Sequence, residues 1–386
     1  MNYDLVIVGS GLFGATIAQK MATEFDKKVL IIEKRNHIGG NCYSYFDRKT
    51  NIEIHKYGLH MFHIYSDKVW EYIKQFTKII DYTHYVYTTH FMPDTKREEV
   101  FHMPINLHTI EQFYRKKMTP DEAKKIIQKF NKNISKNSNL EEKGISMVGK
   151  DLFNAFFRDY TKKQWGGIPA SKLPADIIVR LPIRYDYEPR LFPDKKQGLP
   201  DKGFLDFFQN MLTHKNIEIK VNTNFNDIKK SIKKVPIIFT GPIDSYFNYK
   251  LGRLGWRSLA FKKEVINLAD FQGCTQMNFP DENIPWLRIV EYKHFRPDRK
   301  NFSKKKTVIV KEFSTVFKPK KNDPYYPINT LKDKKILKGY EKLAQKEFKE
   351  RKVLFGGRLG EYKYYDMENT ILSAFKMVDK IVETFF

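Results

Sequence analysis

The stretch YDLVIVGSGLFGATIAQKMATEFDKKVLIIEK, residues 3–34, decides the fold. YDLVIV is a short β-branched run, GSGLFG a turn, ATIAQKMATEF an amphipathic helical pattern and KVLIIE a second strand. That order predicts two parallel strands joined by a crossover helix. Gly9, Gly11 and Gly14 form the pattern G-x-G-x-x-G between strand and helix, and Glu33 ends the second strand nineteen residues after Gly14. The glycines permit a tight turn and let a pyrophosphate approach the helix N-terminus, whose free N–H groups and positive dipole end favour an anion. Glu33 can accept hydrogens from ribose hydroxyls. In this context the residues read as a dinucleotide site, against the plainer alternative of a structural turn.

Immediately beyond, EKRNHIGGNCYS (33–44) places Arg35, Gly39 and Gly40 just past the acidic residue. It is similar to the second glycine segment of flavoproteins that use this fold for FAD; the alternative is an ordinary glycine turn.

A chain of 386 residues exceeds the usual single-core size, so two or three structural units are expected. Apolar content of 41% and aromatic content of 15% exclude extensive disorder. The formal charge of +24 suits nucleic acid, an anionic membrane surface or a phosphorylated small molecule. Its lysines, however, are scattered through runs such as KKSIKK (229–234) and KDKKILKGYEK (332–342) rather than gathered in a stripe, so no specific nucleic-acid partner is expected. The two cysteines, Cys42 and Cys274, have no C-x-x-C spacing. They indicate neither a disulfide framework nor a metal site, and they fit a reducing cytoplasm. No basic leader precedes the first strand and no apolar run approaches eighteen residues, so neither a cleaved signal nor a membrane span is expected.

The fold class expected is α/β: a discontinuous Rossmann-like cofactor domain with an inserted helical domain and an antiparallel β-sheet domain. VPIIFTGP (235–242) and VLFGGR (353–358) read as further strands of the nucleotide-binding sheet, which assigns 1–65, 220–245 and 350–386 to that domain. Residues 66–160 read as mainly helical, the clearest helix starting at TPDEAKKIIQKF with Thr119 as cap, Pro120 at the first position and Glu122 completing a capping box. WRSLAFKKEVI, TQMNFP and KTVIVKEF alternate as antiparallel strands, which assigns 161–219 and 246–349 to a substrate domain.

Three further stretches carry candidate chemistry. In KYGLHMFHIY, His60 and His63 lack a third ligand and indicate core or cofactor-neighbour roles rather than a metal. In FFRDYTKKQWG, Phe156 and Tyr160 share a helix face suited to core packing or to stacking on a planar base. RLPIRYDYEPRLF (180–192) is a cationic segment with three arginines.

Taken in order, GSGLFGA, EKRNHIGGN, YGLHMFH, YTKKQWG, TGPIDSYF, WRSL, RIVEYKHF, PYYPIN and GGRLGEYKYYDM resemble the UDP-galactopyranose mutases over nearly the whole chain. The resemblance implies a flavoenzyme that interconverts the pyranose and furanose rings of UDP-galactose without net redox change. Only reduced FAD is competent in that family: flavin N5 attacks the anomeric carbon as UDP leaves, and the sugar ring opens and recloses. It also implies FAD contacts from Gly9, Gly11, Phe13, Gly14, Glu33, Lys34, Gly40, Asn41, His60, Met61, Arg358, Tyr365, Asp366 and Met367. Arg180, on a mobile loop near 165–192, and Arg288 match the diphosphate arginines, whose fork suits phosphate; with His60 they are the catalytic candidates. Substrate contacts are implied for His84, Phe156, Tyr160, Thr161, Trp165, Arg257, Asn278, Tyr326 and Tyr364. The same resemblance implies a cytoplasmic homodimer feeding cell-surface polysaccharide synthesis, with peripheral association with that machinery.

The chain departs from the family at four places. Leu191 stands where a tyrosine follows the loop arginine by eleven residues, Lys196 replaces an aromatic before QG, His84 replaces an asparagine, and Gly255 replaces an acidic residue. These positions touch substrate more than flavin, so the hexose stays open among galactose, N-acetylgalactosamine and others, with Tyr185, Tyr187 or Lys196 as candidates for the lost phosphate contact. Two other readings remain: an amine-oxidase-like flavin oxidoreductase on the same fold, and a basic binder of nucleic acid or membrane surface that keeps FAD structurally.

Overall fold

The computed structural model describes residues 2–129, 139–175, 183–193, 195–232, 235–299, 302–319 and 321–386. Arg180 lies outside these described residues.

Leu5–Val8 is the centre of a five-stranded parallel sheet. It pairs with Val29–Ile32 on one side and Ile237–Phe239 on the other; Ile217–Lys220 and Val353–Phe355 form the edges. Both faces are covered. Leu5 and Ile7 enter one apolar core with the helices Leu12–Thr23, Phe204–Leu212 and Met367–Phe385, while Val6 enters another with Phe239, Trp256 and Tyr340. Two-sided burial is why these strands read as continuous β-branched runs without alternation. The edge strand IEIK carries no such run: its residues alternate between partial and full exposure, and sequence inspection assigns it no element.

The second sheet has seven strands, in the spatial order Tyr326–Pro327, Trp256–Ile266, Thr307–Val316, Arg288–Glu291, Gln276–Asn278, Val86–Met92 and Arg97–Met103. All pairs are antiparallel except Gln276–Asn278 with Val86–Met92, which run parallel. The segment 66–160 thus gives a hairpin to this sheet as well as its helices. In REEVFHM the period-two pattern buries Phe101 and Met103 and exposes Glu98 and Val100, which is strand rather than helix behaviour. The helices of the segment, among them Leu107–Tyr114, Pro120–Gln128 and Leu140–Val148, enclose a separate apolar core. The Pro120 helix starts with the capping box read from the sequence: Glu122 N–H donates to Thr119 Oγ1 at 3.3 Å and Thr119 N–H to Glu122 Oε2 at 2.8 Å.

At the C-terminal end of the parallel strands the two glycine segments touch. Gly40 has φ +56°, and a Cβ there would fall 2.7 Å from Gly11 Cα. Gly39 N–H donates to Ser10 O at 3.0 Å. Gly40→Ala combines left-handed strain of roughly 1–3 kcal/mol with this backbone clash, whereas Gly167→Ala, at φ +89° with nothing within 4 Å of the new Cβ, carries strain alone. Thermal unfolding should therefore show a distinctly larger loss of midpoint for Gly40→Ala than for Gly167→Ala; equal losses would mean that the two backbones do not abut.

Candidate active site

The glycine loop follows the central strand Leu5–Val8 and is tightly packed. A Cβ on Gly9 would fall 2.2 Å from Thr240 Oγ1 and one on Gly14 2.2 Å from Gly9 O, so neither position accepts a side chain. Helix Leu12–Thr23 has Gly11 as its N-cap, and no side chain caps it, which leaves the N–H groups of its first turn to an anion. Glu33 fastens the loop: Oε2 accepts from Ser10 N at 2.9 Å and Ser10 Oγ at 2.8 Å, and Oε1 from Arg35 N at 2.9 Å. Each carboxylate oxygen has two lone pairs, so Oε1 retains an acceptor site. Gly356 and Gly357 close on the Phe13 ring, at notional Cβ distances of 2.4 and 3.2 Å. The segments 9–14, 39–40 and 356–357 thus meet so closely that no Cβ fits between them.

A cavity of about 590 Å³ is lined by Asn41 and Arg358, the chain neighbours of Gly40 and Gly357, and by residues of the seven-stranded sheet. Asn41, His60, Met61, Arg358, Asp366 and Met367 line the side nearer the glycines; Trp165, Leu191, Phe192, Arg288, Tyr326 and Tyr364 line the rest. Tyr326 and Tyr364 stack at 5.9 Å between ring centroids, and Arg358 lies over Tyr364 at 4.9 Å.

Arg288 is the central charge. Its Nη2 lies 3.1 Å from Glu312 Oε1, a pair produced by strand register, because Arg288 stands directly opposite Glu312. Burial works against the guanidinium, but Glu312 with Tyr160, Tyr326 and Tyr364 outweighs it and holds the arginine charged. Burial likewise pushes the Glu312 carboxyl up, against the pull of Arg288. Among the described residues that line the cavity, Arg288 Nε and Trp165 Nε1 are buried donors without a hydrogen-bond partner, beside one such acceptor, Glu312 Oε1, which faces Arg288. Leaving buried donors unmatched costs about 1–3 kcal/mol each, so their presence in a cavity wall suits an anionic, oxygen-rich ligand.

Burial holds three histidines, His55, His60 and His84, neutral. Burial lowers His60 to about 3. Its Nδ1 sits 2.8 Å from Gly58 O; a carbonyl only accepts, so the proton is on Nδ1 and Nε2 is an acceptor. Burial similarly lowers His84 to about 4 and His55 to about 3. His84 lies in a polar chain, with Nδ1 3.0 Å from Tyr82 OH and Nε2 3.3 Å from Gln276 Oε1, and Gln276 Nε2 donates to Asn278 Oδ1 at 2.8 Å.

The remaining expected residues lie off the cavity wall. Phe156 is buried in the helical core, with edge contacts to Phe101, Phe113 and His90 at centroid distances of 5.1, 5.8 and 5.6 Å. It sits in a π-helical turn, Asn154–Arg158, so the four-residue spacing to Tyr160 does not bring the two rings onto one face. Tyr160 instead reaches the Arg288 region. Thr161 is buried one residue on. Arg257 faces the backbone, with Nε donating to Gln164 O at 3.0 Å and Nη2 to Ser314 Oγ. Lys34 pairs with Asp323 at 2.9 Å on the surface, and Tyr365 OH bonds to Glu361. Of the compensation candidates for Leu191, Lys196 pairs with Asp67, Tyr187 OH donates to Glu111 Oε1 at 3.1 Å, and Tyr185 packs on the helical core. None of the three is among the lining residues; Leu191 itself is.

Sequence inspection missed Glu312, Gln276 and Tyr325 in the wall. A signal existed for Glu312: KTVIVKEF puts an acidic residue in an otherwise buried strand, where it needs a cationic neighbour.

Comparisons with known proteins agree with this geometry. The family model described as UDP-galactopyranose mutase matches residues 155–364, and one described as NAD(P)-binding Rossmann-like domain matches 7–76. The chain is 38% identical over 385 residues to "Probable UDP-galactopyranose mutase" of Klebsiella pneumoniae, covering 99% of this chain and 96% of the relative. It is also 38% identical over 376 residues to dTDP-fucopyranose mutase of Escherichia coli, covering 96% of each. A crystal structure of reduced UDP-galactopyranose mutase superposes with a TM-score of 0.74 at 15% identity, covering 99% of this chain and 94% of that one.

The buried histidines set an acid response. Their folded pKa values lie below the ordinary 6.5, so from about pH 6.5 downward the unfolded chain binds more protons and stability falls with pH. Each contributes up to about 1.4 kcal/mol per pH unit. Urea unfolding between pH 6.5 and 4.5 should have a shallower pH slope in His84→Asn than in the parent; an identical slope would mean that His84 titrates normally.

Proposed function

Since the chain belongs to the UDP-galactopyranose mutase family and is by that membership a pyranose–furanose isomerase of nucleotide sugars, we propose that its substrate is UDP-galactose and its cofactor reduced FAD. The observation that carries this is Arg288, a buried cation with an unmatched Nε donor in a cavity that adjoins the glycine cradle. Diphosphate and dinucleotide would thus meet in one enclosed space.

In this reading Gly9, Gly11, Gly14 and Gly40 hold the FAD pyrophosphate and Glu33 its ribose, while Asn41, His60, Met61, Arg358, Asp366 and Met367 hold the flavin end. Bound and reduced, FAD supplies the nucleophile for the anomeric carbon. Arg288 grips the diphosphate as it departs and keeps it close for recapture, a preorganised charge acting where water is scarce. Glu312 fixes the guanidinium. Burial and Glu312 raise the Tyr326 hydroxyl, which stays protonated as a donor. Trp165 Nε1 offers a second donor, and His60, neutral through Nδ1, presents Nε2 as an acceptor. Arg180 completes the diphosphate clamp. The reading includes a cytoplasmic homodimer that supplies furanose donors for polysaccharide assembly.

A second reading, a dTDP-linked 6-deoxyhexose, is favoured by Leu191, whose side chain donates no hydrogen bond and which lines the cavity, and dTDP-fucopyranose mutase is as similar to this chain as the Klebsiella relative.

Dithionite-reduced protein, held anaerobically, should convert UDP-galactose to a furanose product resolved by chromatography, with no conversion by the oxidised protein. Conversion of dTDP-fucose alone would select the second reading; conversion of none among UDP-galactose, UDP-N-acetylgalactosamine and dTDP-fucose would overturn the mutase reading.

A further inference from the structure

Lys163 stands in the short helix Asp159–Gln164, two residues before Trp165. Its ammonium donates to four backbone carbonyls of a single loop: Phe279 O at 2.6 Å, Asp281 O at 2.9 Å, Ile284 O at 2.9 Å and Trp286 O at 3.2 Å. An ammonium has three hydrogens, so at least one is shared and the carbonyls converge on it as they would on a bound cation. The loop is the turn between the strands Gln276–Asn278 and Arg288–Glu291, whose first register pair at its base is Asn278 opposite Arg288. Phe279 N–H donates to Leu287 O at 2.9 Å just above that pair.

Other ties hold the same loop from both sides. Lys162 Nζ reaches Glu282 Oε1 at 2.6 Å, and the Asp281 carboxylate takes His90 Nδ1 at 2.8 Å and Phe91 N at 3.2 Å. These bonds grip side chains at the loop's rim. Lys163 is the group, among the described residues, that gathers the loop's inner carbonyls.

We propose that Lys163 is a positioning residue: its ammonium organises the 279–286 loop and thereby sets Arg288, at the loop's base, for the nucleotide diphosphate. The inference rests on the cavity being the nucleotide-sugar site. Lys163 touches no reacting atom in it; it acts through the strand ends it holds together.

A lysine among carbonyls is a switchable support. Burial lowers Lys163 to about 8, with Asp281, Asp159 and Glu282 partly opposing. Of those, Asp281 is shared with His90, Glu282 with Lys162 and Asp159 with Arg158. A neutral amine keeps two hydrogens and loses the charge that draws four carbonyls together, so the hold weakens as pH rises through about 8.

The test uses the flavin-loaded protein as purified, with UDP and dTDP as probes. In Lys163→Met at pH 7, backbone amides of residues 279–287 should exchange faster with deuterium, and affinity for UDP should fall on the order of tenfold, as for loss of one charge-assisted hydrogen bond. The parent should also lose up to about tenfold in UDP affinity between pH 7 and 9, matching the fraction of Lys163 still protonated one unit above its pKa. Lys163→Arg should hold its affinity across that range. Unchanged exchange in Lys163→Met overturns the inference, and so does faster exchange with unchanged UDP and dTDP affinity. If the parent itself binds neither nucleotide while exchange responds as stated, the reading of the cavity fails and the loop-holding role of Lys163 stands.

Discussion

The molecule is organised around a contact with no side chain in it. Gly11 and Gly40 meet backbone to backbone, and a methyl group on Gly40 would sit well inside the van der Waals contact distance of its neighbour. That approach fixes how the helix after the first strand points, because Gly11 is its N-cap. It also fixes where the chain leaves the second strand, because Gly39 is bonded back to Ser10. Glu33 locks the arrangement through three hydrogen bonds to the same corner. Everything that faces the cavity from the parallel sheet inherits its position from this corner.

The opposite wall follows a different logic, that of strand register. Arg288 and Glu312 are neighbours because two antiparallel strands pair in one alignment; a one-residue slip would put an arginine in the apolar layer without its carboxylate. Removing one partner of such a pair leaves a buried charge uncompensated. The register is therefore enforced electrostatically as well as by packing. The tyrosines stacked beside it add donors without charge.

The parallel core was legible because its signals are local: a β-branched run, a glycine pattern and an amphipathic helix within thirty residues. The capping box at Thr119 was legible for the same reason. The edge strand Ile217–Lys220 and the Val86–Met103 hairpin were not, since each is stabilised by partners distant in sequence, and short alternating runs carry little weight alone. In the site, Asn41, His60, Met61, Arg288, Arg358 and Tyr364 were read from motifs and do line the cavity. Phe156 took the core-packing reading of its segment, but its shared face with Tyr160 did not form, because regular helical spacing was assumed where the chain makes a π-turn, which rotates every later side chain. Glu312 escaped because a lone carboxylate in a strand acquires meaning only once its cross-strand neighbour is known.

The central strand Leu5–Val8 has a bearing on how the protein is made. One of its two neighbours is Ile237–Phe239, more than two hundred residues later, and the sheet ends with Val353–Phe355, later still. The parallel pairing of Gln276–Asn278 with Val86–Met92 spans a similar separation. Nearly the entire chain must therefore be synthesised before the nucleotide-binding sheet is complete. Contacts so remote in sequence make folding slow and leave apolar strands exposed on the nascent chain. Acquisition of any dinucleotide is on that account tied to the strands that come late in the chain, because Gly356 and Gly357 close on Phe13 beside the glycine loop.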